Sequence, residues 1–224
     1  MGRRLASITL DNVDDLPARC RNCVYWELDP VAGERAVRAG DPGLEKEAWL
    51  SAVLLDWGSC GRVAYVDTVP AGFVLYAPPA LVPRSMAFPT SPVSGDAVLL
   101  MNAHVVPEFR GQGLGRMLVQ TVVKDLLKRG GGIRAVEAFG ALPAAGPALR
   151  LPGGDGDTQA GCVVPADYLT AVGFKTVRPH PRYPRLRLEV RTAVSWRADV
   201  EEALERLLGS MRPEPVRPAS ARRV

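Results

Sequence analysis

Hydrophobic and polar positions follow two periods along the chain, which together predict a mixture of strands and helices. Residues 5–10 alternate in polarity, as is typical of a strand, and residues 62–66 and 72–76 are β-rich runs joined by a short turn, which predicts a hairpin. Residues 97–106 are mostly apolar, which indicates a central strand covered on both faces. Further strands are predicted at residues 133–139, 174–177 and 186–192.

The clearest helical period lies in residues 113–129, where polar side chains recur every four positions opposite an apolar ridge. Asp41 before Pro42 is a helix-start signal, because it places a capping residue before a proline at the first helical position, and it predicts a helix over residues 42–57. Shorter helices are predicted at residues 165–172 and 197–208, and irregular or loop segments at residues 11–40, 77–96 and 140–164. This order predicts an α/β fold (α+β mixed) with one central sheet.

Composition and charge limit the function classes. With 224 residues and 47% hydrophobic positions, we expect one domain over residues 1–209 and a disordered basic tail over residues 210–224. The net charge is only +4 and much of the surplus lies in that tail, so we expect no nucleic-acid partner, although a local basic patch for an anionic ligand stays open. No apolar run reaches the ~18 residues of a membrane span, and the first residues lack a signal-peptide core, so we expect a cytoplasmic protein without a membrane partner.

The stretch from residue 105 to residue 115 carries the chemistry. A predicted buried strand runs into a turn with three glycines and then into the helix at 113–129. The glycines allow successive N–H groups to point at one spot, and the first helical turn adds unpaired N–H groups and the positive end of the helix dipole. Such a turn binds phosphate or pyrophosphate, and Arg110 or Arg116 can add counter-charge.

Two known phosphate-binding motifs do not fit this stretch. A P-loop requires Lys followed by Ser or Thr after its glycines, and this pair is missing here. A dinucleotide fingerprint that begins at Gly111 and Gly113 would need its third glycine where Arg116 stands. Instead, V-x-P at residues 105–107 and R-x-x-G-x-G at residues 110–115 resemble the acyl-CoA pyrophosphate loop of the GNAT superfamily of N-acyltransferases.

A second motif strengthens this resemblance, which covers about residues 58–192. Residues 168–174, which run from Tyr168 in the short predicted helix at 165–172 to Gly173-Phe174 at its end, are similar to a later motif of the family. The resemblance implies a GNAT-like fold, in which a twisted, mostly antiparallel mixed sheet has splayed central strands and helices on both faces. It also implies an acyl-CoA-dependent N-acetyltransferase, in which a primary amine attacks the thioester of acetyl-CoA directly.

The resemblance further implies where acetyl-CoA binds. Backbone groups of the central strand would pair with the pantetheine arm, and the glycine-rich turn would hold the pyrophosphate. The cofactor-binding residues implied are Ala103, His104 and Val105 for the arm, and Arg110, Gly111, Gln112, Gly113, Leu114, Gly115 and Arg116 for the pyrophosphate. We expect Gly113 and Gly115 to resist substitution, because a Cβ atom there would crowd the phosphate or strain the backbone.

The catalytic residues are harder to assign. The family often places a Tyr four residues before the Gly of Gly-Phe, where it protonates the departing thiolate. In this chain that position is Leu169. Tyr168 lies one residue earlier, which is a rotation of about 100° around the helix. Tyr168 is still the first candidate acid, and Cys162 is another candidate donor. Glu137, in the middle of a predicted buried strand, is the candidate base, directly or through water, and a structural ion pair with an arginine is the alternative.

Cys20 and Cys23 have the C-x-x-C spacing of a metal knuckle or a dithiol. A structural zinc site needs four ligands, and only scattered Cys and His residues could complete one, so we expect no metal and favour simple packing, with a redox pair left open. His104 is a core histidine or takes part in proton relay or acceptor binding.

The sequence does not name the amine acceptor. A small-molecule amine and a peptide amine both fit the implied reaction, and the oligomeric state, a homodimer included, is open. The competing function is a non-catalytic acyl-CoA-binding sensor or interaction module on the same fold, which would need the cofactor site but no acceptor cleft.

Overall fold

The computed structural model describes residues 2–143 and 162–191. The strands in this part of the chain are β1 (Arg3–Ser7), β2 (Gly61–Val66), β3 (Val69–Ala77), β4 (Ala97–Val105), β5 (Ala135–Ala141), β6 (Val164–Pro165), β7 (Lys175–Arg178) and β8 (Arg185–Glu189). The helices are α1 (Ala18–Arg21), α2 (Pro30–Ala39), α3 (Pro42–Asp56), α4 (Leu114–Arg129) and α5 (Ala166–Ala171). Among the described helices, none is long and apolar enough to cross a membrane.

One sheet contains these strands, in the order β1-β2-β3-β4-β5-β8-β7, and β6 pairs separately with β5. Neighbouring strands are antiparallel except at β4–β5 and β5–β6. The two central strands pair only from Ala97 to Leu99 of β4, although β4 continues to Val105 and pairs with β3 from Leu99 to Val105. The central strands therefore separate beyond Leu99, and the predicted mixed, mostly antiparallel sheet with splayed central strands is confirmed.

Helices cover both faces of the sheet. On one face, Leu118, Val122 and Leu126 of α4 are buried against apolar side chains of β3, β4 and β5. On the other face, Leu50 and Val53 of α3 pack with the segment around α1 against the opposite side chains of the same strands. Because both faces are covered, the central strands are apolar almost throughout, as the run at residues 97–106 predicts.

A polar network fixes α4 to the sheet. The carboxylate of Asp125 accepts hydrogen bonds from Arg62 of β2 (3.1 Å), Tyr76 of β3 (2.7 Å) and Arg129 in the last turn of α4 (2.8 Å). Arg129 also donates to the carbonyl oxygens of Trp57 and Ser59. The helix that follows the glycine-rich turn is thus held at its far end, which fixes the position of its first turn.

The segment 11–40 is a correction to the sequence analysis, since α1 and α2 form within it. Asp29 caps α2 by accepting the N–H groups of Val31 (2.9 Å) and Ala32 (3.0 Å), and Pro30 occupies the first helical position. An aspartate before a proline is also the signal that correctly predicts α3 at Asp41. The same pattern at Asp29 therefore marks the start of α2 in the sequence.

Two further predictions concern the ends of the chain. The strand predicted at residues 5–10 is shifted, because β1 ends at Ser7 and a 3-10 helix occupies Leu10–Asp15. The helix at 197–208, the tail at 210–224 and most of the loop at 140–164 lie outside the described residues. The division into a domain over 1–209 and a tail therefore stays a prediction.

Candidate functional site

A groove of about 530 Å³ lies where β4 and β5 separate. Its walls are the end of β4, the turn after it, the start of α4, and the chain around β6 and α5. The described residues that line it are 102–105, 109–111, 113–116 and 163–165, together with Arg19 and Tyr168. The structure thus brings together every cofactor-binding residue of the sequence prediction except Gln112, which does not line the groove.

The glycine-rich turn leaves backbone donors at one end of the groove. Gly111 and Gly113 have φ of 75° and 80°, in the left-handed region that favours glycine. Gly113 is the N-cap of α4, and no side chain caps it. Because the first N–H groups of a helix have no acceptor within the helix, and residues 113–116 all line the groove, the first turn offers N–H groups and a positive dipole end to an anion there.

Arginine side chains add positive charge to the groove, two of them in or beside the glycine-rich turn. Arg19, Arg110 and Arg116 line the groove, and none of its described lining residues is acidic. The Arg110 Nε donates to the carbonyl oxygen of Val105 (3.0 Å), and the Arg116 Nη2 donates to that of Ala171 at the end of α5 (3.0 Å). An anion with several charges, such as a pyrophosphate, fits this lining.

The opposite end of the groove follows the free edge of β4. Beyond Leu99, β4 has no ladder partner on the β5 side among the described residues, and residues 102–105 are half-buried there. An exposed strand edge can pair with an extended chain that carries amide groups. The edge therefore suits an extended amide ligand that runs inward from the arginines.

His104 lies on this part of β4 and lines the groove. It is half-buried, and its ring centroid is 5.9 Å from that of Phe73. Burial lowers the pKa of His104 below its usual value, and the positive charges of Arg19 and Arg110 lower it further. The imidazole is therefore neutral at neutral pH and can accept a proton.

Tyr168, the predicted acid, lies beneath the first turn of α4. Its hydroxyl donates to the carbonyl oxygen of Gly115 (2.9 Å), and burial raises its pKa to about 12. Leu169, the position that matches the family pattern, is fully buried in the core. Because the Tyr168 proton is directed at the helix backbone, its contacts favour a positioning role, and its role as an acid stays a prediction.

Glu137, the predicted base, is fully buried on β5 and does not line the groove. It accepts the backbone N–H of Ser94 (3.1 Å) and a hydrogen bond from Arg187 (3.1 Å), and Arg185 forms an ion pair with it at 3.4 Å. These contacts are the structural ion pair that the sequence analysis leaves as the alternative. They favour that alternative over the role of base.

Sequence reasoning missed several lining residues. Arg19 and Asn102 carry no local motif, and Phe109 lies between the two parts of the motif at 105–115 without an assigned role. Residues 163 and 164 fall at the end of the predicted loop, and Pro165 begins the helix predicted at 165–172. Sequence reasoning also gave no sign that Cys23 meets Cys162 near the groove. Within the described chain, no group of three or more His, Cys, Asp or Glu side chains could hold a metal ion.

Comparison with known proteins gives both fold and family. The N-acetyltransferase paia from Thermoplasma acidophilum, solved in complex with coenzyme A, is 11% identical, with a TM-score of 0.51 over 84% of this chain and 99% of that chain. The loading GNATL domain of CurA from Lyngbya majuscula is 13% identical, with a TM-score of 0.52 over 86% and 100%. The protein yncA from Salmonella typhimurium, solved with its cofactor acetyl-CoA, is 13% identical, with a TM-score of 0.50 over 85% and 95%. These likenesses show a shared fold.

No curated protein sequence matches the chain. The model of the acetyltransferase (GNAT) family, however, matches residues 20–151, which is more than half of the 224 residues and includes the central strands, the glycine-rich turn and α4. The chain therefore belongs to the GNAT acetyltransferase family.

Proposed function

We propose that this protein transfers an acetyl group from acetyl-CoA to a primary amine by direct attack of the neutral amine on the thioester. The observation that carries the proposal is the groove between the splayed strands, which has an uncapped helix start with Arg110 and Arg116 at one end and a free strand edge leading away from it. Coenzyme A and acetyl-CoA are bound by two of the proteins that share the fold, which supports the same ligand here. The acceptor, a small-molecule or peptide amine, and a cytoplasmic location are parts of the same proposal.

The residues of the groove fit acetyl-CoA from end to end. The N–H groups of the first turn of α4, with Arg110 and Arg116, would hold the pyrophosphate, and the backbone from Ala103 to Val105 would pair with the amides of the pantetheine arm. This order places the thioester at the inner end of the groove, toward Asn102. The groove would hold the thioester there while the acceptor approaches from the side of α1 and α3.

Deprotonation of the amine decides how much acid–base help is needed. At pH 7, neutralising an amine with a pKa of about 10.4 costs about 4.6 kcal/mol, whereas an α-amine with a pKa near 8 costs about 1.4 kcal/mol. Of the described side chains that line the groove, His104 is the one whose lowered pKa leaves it a neutral acceptor of protons. We therefore place the base at His104, directly or through water, rather than at the ion-paired Glu137.

The test of the cofactor site uses thermal unfolding. At a hundredfold excess over its Kd, acetyl-CoA should stabilise the protein by about 2.7 kcal/mol, or about 5–11 °C in Tm. Gly113→Asp should abolish this shift, because it places a carboxylate at the pyrophosphate position. Gly131→Asp is the matched control, since Gly131 also has a positive φ (66°) but lies in the turn after α4 and does not line the groove.

Turnover is then read as release of the CoA thiol against a panel of small amines and peptides. We expect release with at least one class of amine. A Tm shift that survives in Gly113→Asp would refute the cofactor site, and binding without turnover across the whole panel would indicate the non-catalytic sensor instead.

A further inference from the structure

Cysteines from distant parts of the chain meet beside the inner end of the groove. The Sγ atoms of Cys23 and Cys162 lie 3.4 Å apart, although 139 positions separate the two residues. Cys20 lies three residues before Cys23, and all three cysteines are partly exposed, whereas Cys60 is buried in the core. The mechanism proposed above uses none of these thiols.

Hydrogen bonds to the main chain hold the close pair in place. The indole N–H of Trp26 donates to the carbonyl oxygen of Cys162 (2.9 Å). The Lys46 ammonium donates to the carbonyl oxygen of Cys23 (2.8 Å) and forms a buried ion pair with Glu27 (2.5 Å). The approach of the two sulfur atoms is therefore set by a packed polar network around both residues.

The chemistry of the pair is that of a thiolate beside a thiol. Either thiol can donate the hydrogen bond between the two sulfur atoms. With Cys162 as the donor, the bond lowers the pKa of Cys23 to about 7, although burial opposes this shift. The same hydrogen bond, together with burial, raises the pKa of Cys162. Cys23 is thus the nucleophilic member at neutral pH, and Cys162 is the partner poised to resolve its oxidised form.

Cys23 and Cys162 lie on two segments that border the inner end of the groove. Cys20 and Cys23 line a cavity of about 10 Å³ next to the groove, and Asn102 lines both the cavity and the groove. Cys162 directly precedes Val163 and Val164, which line the groove from the other side. A bond between the two sulfur atoms would tether the segment after α1 to β6 where the thioester is expected.

We propose that Cys23 and Cys162 are a modification site, at which a peroxide converts the two thiols into a reversible disulfide that suppresses acyl transfer. The Cys23 thiolate attacks one oxygen of hydrogen peroxide, which gives a sulfenic acid and hydroxide. The Cys162 sulfur then attacks the Cys23 sulfur, so that an S–S bond forms and water leaves, and a dithiol reductant reverses the oxidation. The sulfur atoms must approach by about 1.4 Å, because a disulfide bond is about 2.05 Å long. Only the effect on acyl transfer rests on the proposed function.

The first experiment maps the disulfide in the full chain. Reduced protein is treated with hydrogen peroxide, free thiols are alkylated, and a digest without reductant is analysed by mass spectrometry. We expect a cross-linked pair of peptides that contain Cys23 and Cys162, with the same result in Cys20→Ser and in Cys60→Ala. A cross-link between Cys20 and Cys23, a cross-link between chains, or oxidation without a cross-link would overturn the proposal, and the wild-type protein alone suffices to decide it.

The second experiment compares the oxidised and reduced forms in function. We expect at least a tenfold loss of kcat/KM on oxidation and full recovery with dithiothreitol. In Cys162→Ser, where Cys23 can be oxidised but no Cys23–Cys162 disulfide can form, we expect no such tenfold loss. Unchanged turnover in fully cross-linked protein would overturn the effect on acyl transfer. If no amine supports turnover, the proposed function fails while the mapped cross-link still decides the modification site.

Discussion

Glu137→Gln separates the two roles that the sequence leaves open for this residue. The carboxylate is fully buried and is the counter-charge of Arg185, whose side chain is itself only 10% exposed. A glutamine that keeps an acceptor for the N–H of Ser94 also keeps a neutral oxygen facing Arg185, but it turns its amide donor toward Arg187. In this variant, Arg187 keeps its ion pairs with Asp96 and Glu189, whereas Arg185 loses the ion pair that it makes with Glu137.

The structure sets the magnitude of this change. Removing one partner of a buried ion pair costs about 3–5 kcal/mol, because the remaining charge stays buried without compensation. For a protein of this size, that corresponds to a decrease of about 6–20 °C in Tm. Loss of a positioned general base would instead reduce kcat by about 10²–10⁴ without requiring loss of stability.

The assay measures both quantities on the same preparation. Thermal unfolding gives Tm, and kcat is measured at saturating acetyl-CoA well below the Tm of the variant. We expect a large decrease in Tm with kcat per folded molecule within about threefold of wild type. Glu189→Gln is the control, because Glu189 contacts the same Arg187 but is 50% exposed, so its loss should cost about 0–1 kcal/mol. A Glu137→Gln protein with unchanged Tm and a hundredfold lower kcat would refute the structural role.

Two further predictions concern the groove itself. Tyr168→Phe removes the hydrogen bond to Gly115 and should lower the free energy of unfolding by about 0.5–1.5 kcal/mol. We expect kcat to stay within about tenfold of wild type. A hundredfold loss of kcat at unchanged Kd for acetyl-CoA would instead support Tyr168 as the acid. Burial lowers the pKa of His104 below its usual value, so wild-type kcat should fall as the pH drops through that lowered pKa and stay level above it. In His104→Gln, kcat should be about 10²–10⁴ lower and should no longer fall at acidic pH. If kcat falls at acidic pH in the same way in both proteins, the group that titrates is the acceptor amine and not His104.

Most of the fold was readable from the sequence because its signals are local. The apolar run at residues 97–106 and the periodicity of residues 113–129 correspond to β4 and α4 almost residue for residue. The segment 11–40 was misread for a different reason. Its helix α2 has an amphipathic period, but it buries little apolar surface, with Ala36 as its buried residue, so it lacks the apolar ridge that marks α4, and the capping signal at Asp29 is its clearest local sign.

The site was predictable only in part, because its remaining residues meet through topology. The glycine-rich turn is a contiguous motif, so its place in the groove could be predicted. Arg19, Asn102 and Cys162 reach the same region from three separate segments, and no local pattern encodes that meeting. The ion pairs of Glu137 likewise depend on the pairing of β5 with β8, which brings Arg187 opposite it.

Gly115 shows how the two sequence motifs form one site. A Cβ atom on Gly115 would lie 2.8 Å from Cε2 and 2.9 Å from the hydroxyl oxygen of Tyr168, so the position is closed to a side chain by the tyrosine ring, without any phosphate. The same tyrosine donates to the Gly115 carbonyl oxygen, and Arg116 donates to that of Ala171 at the end of α5. The first turn of α4 is therefore held by α5 through contacts that span more than 50 residues. Glycine at 115 is required here because it lets α5 support the turn that would bind the pyrophosphate.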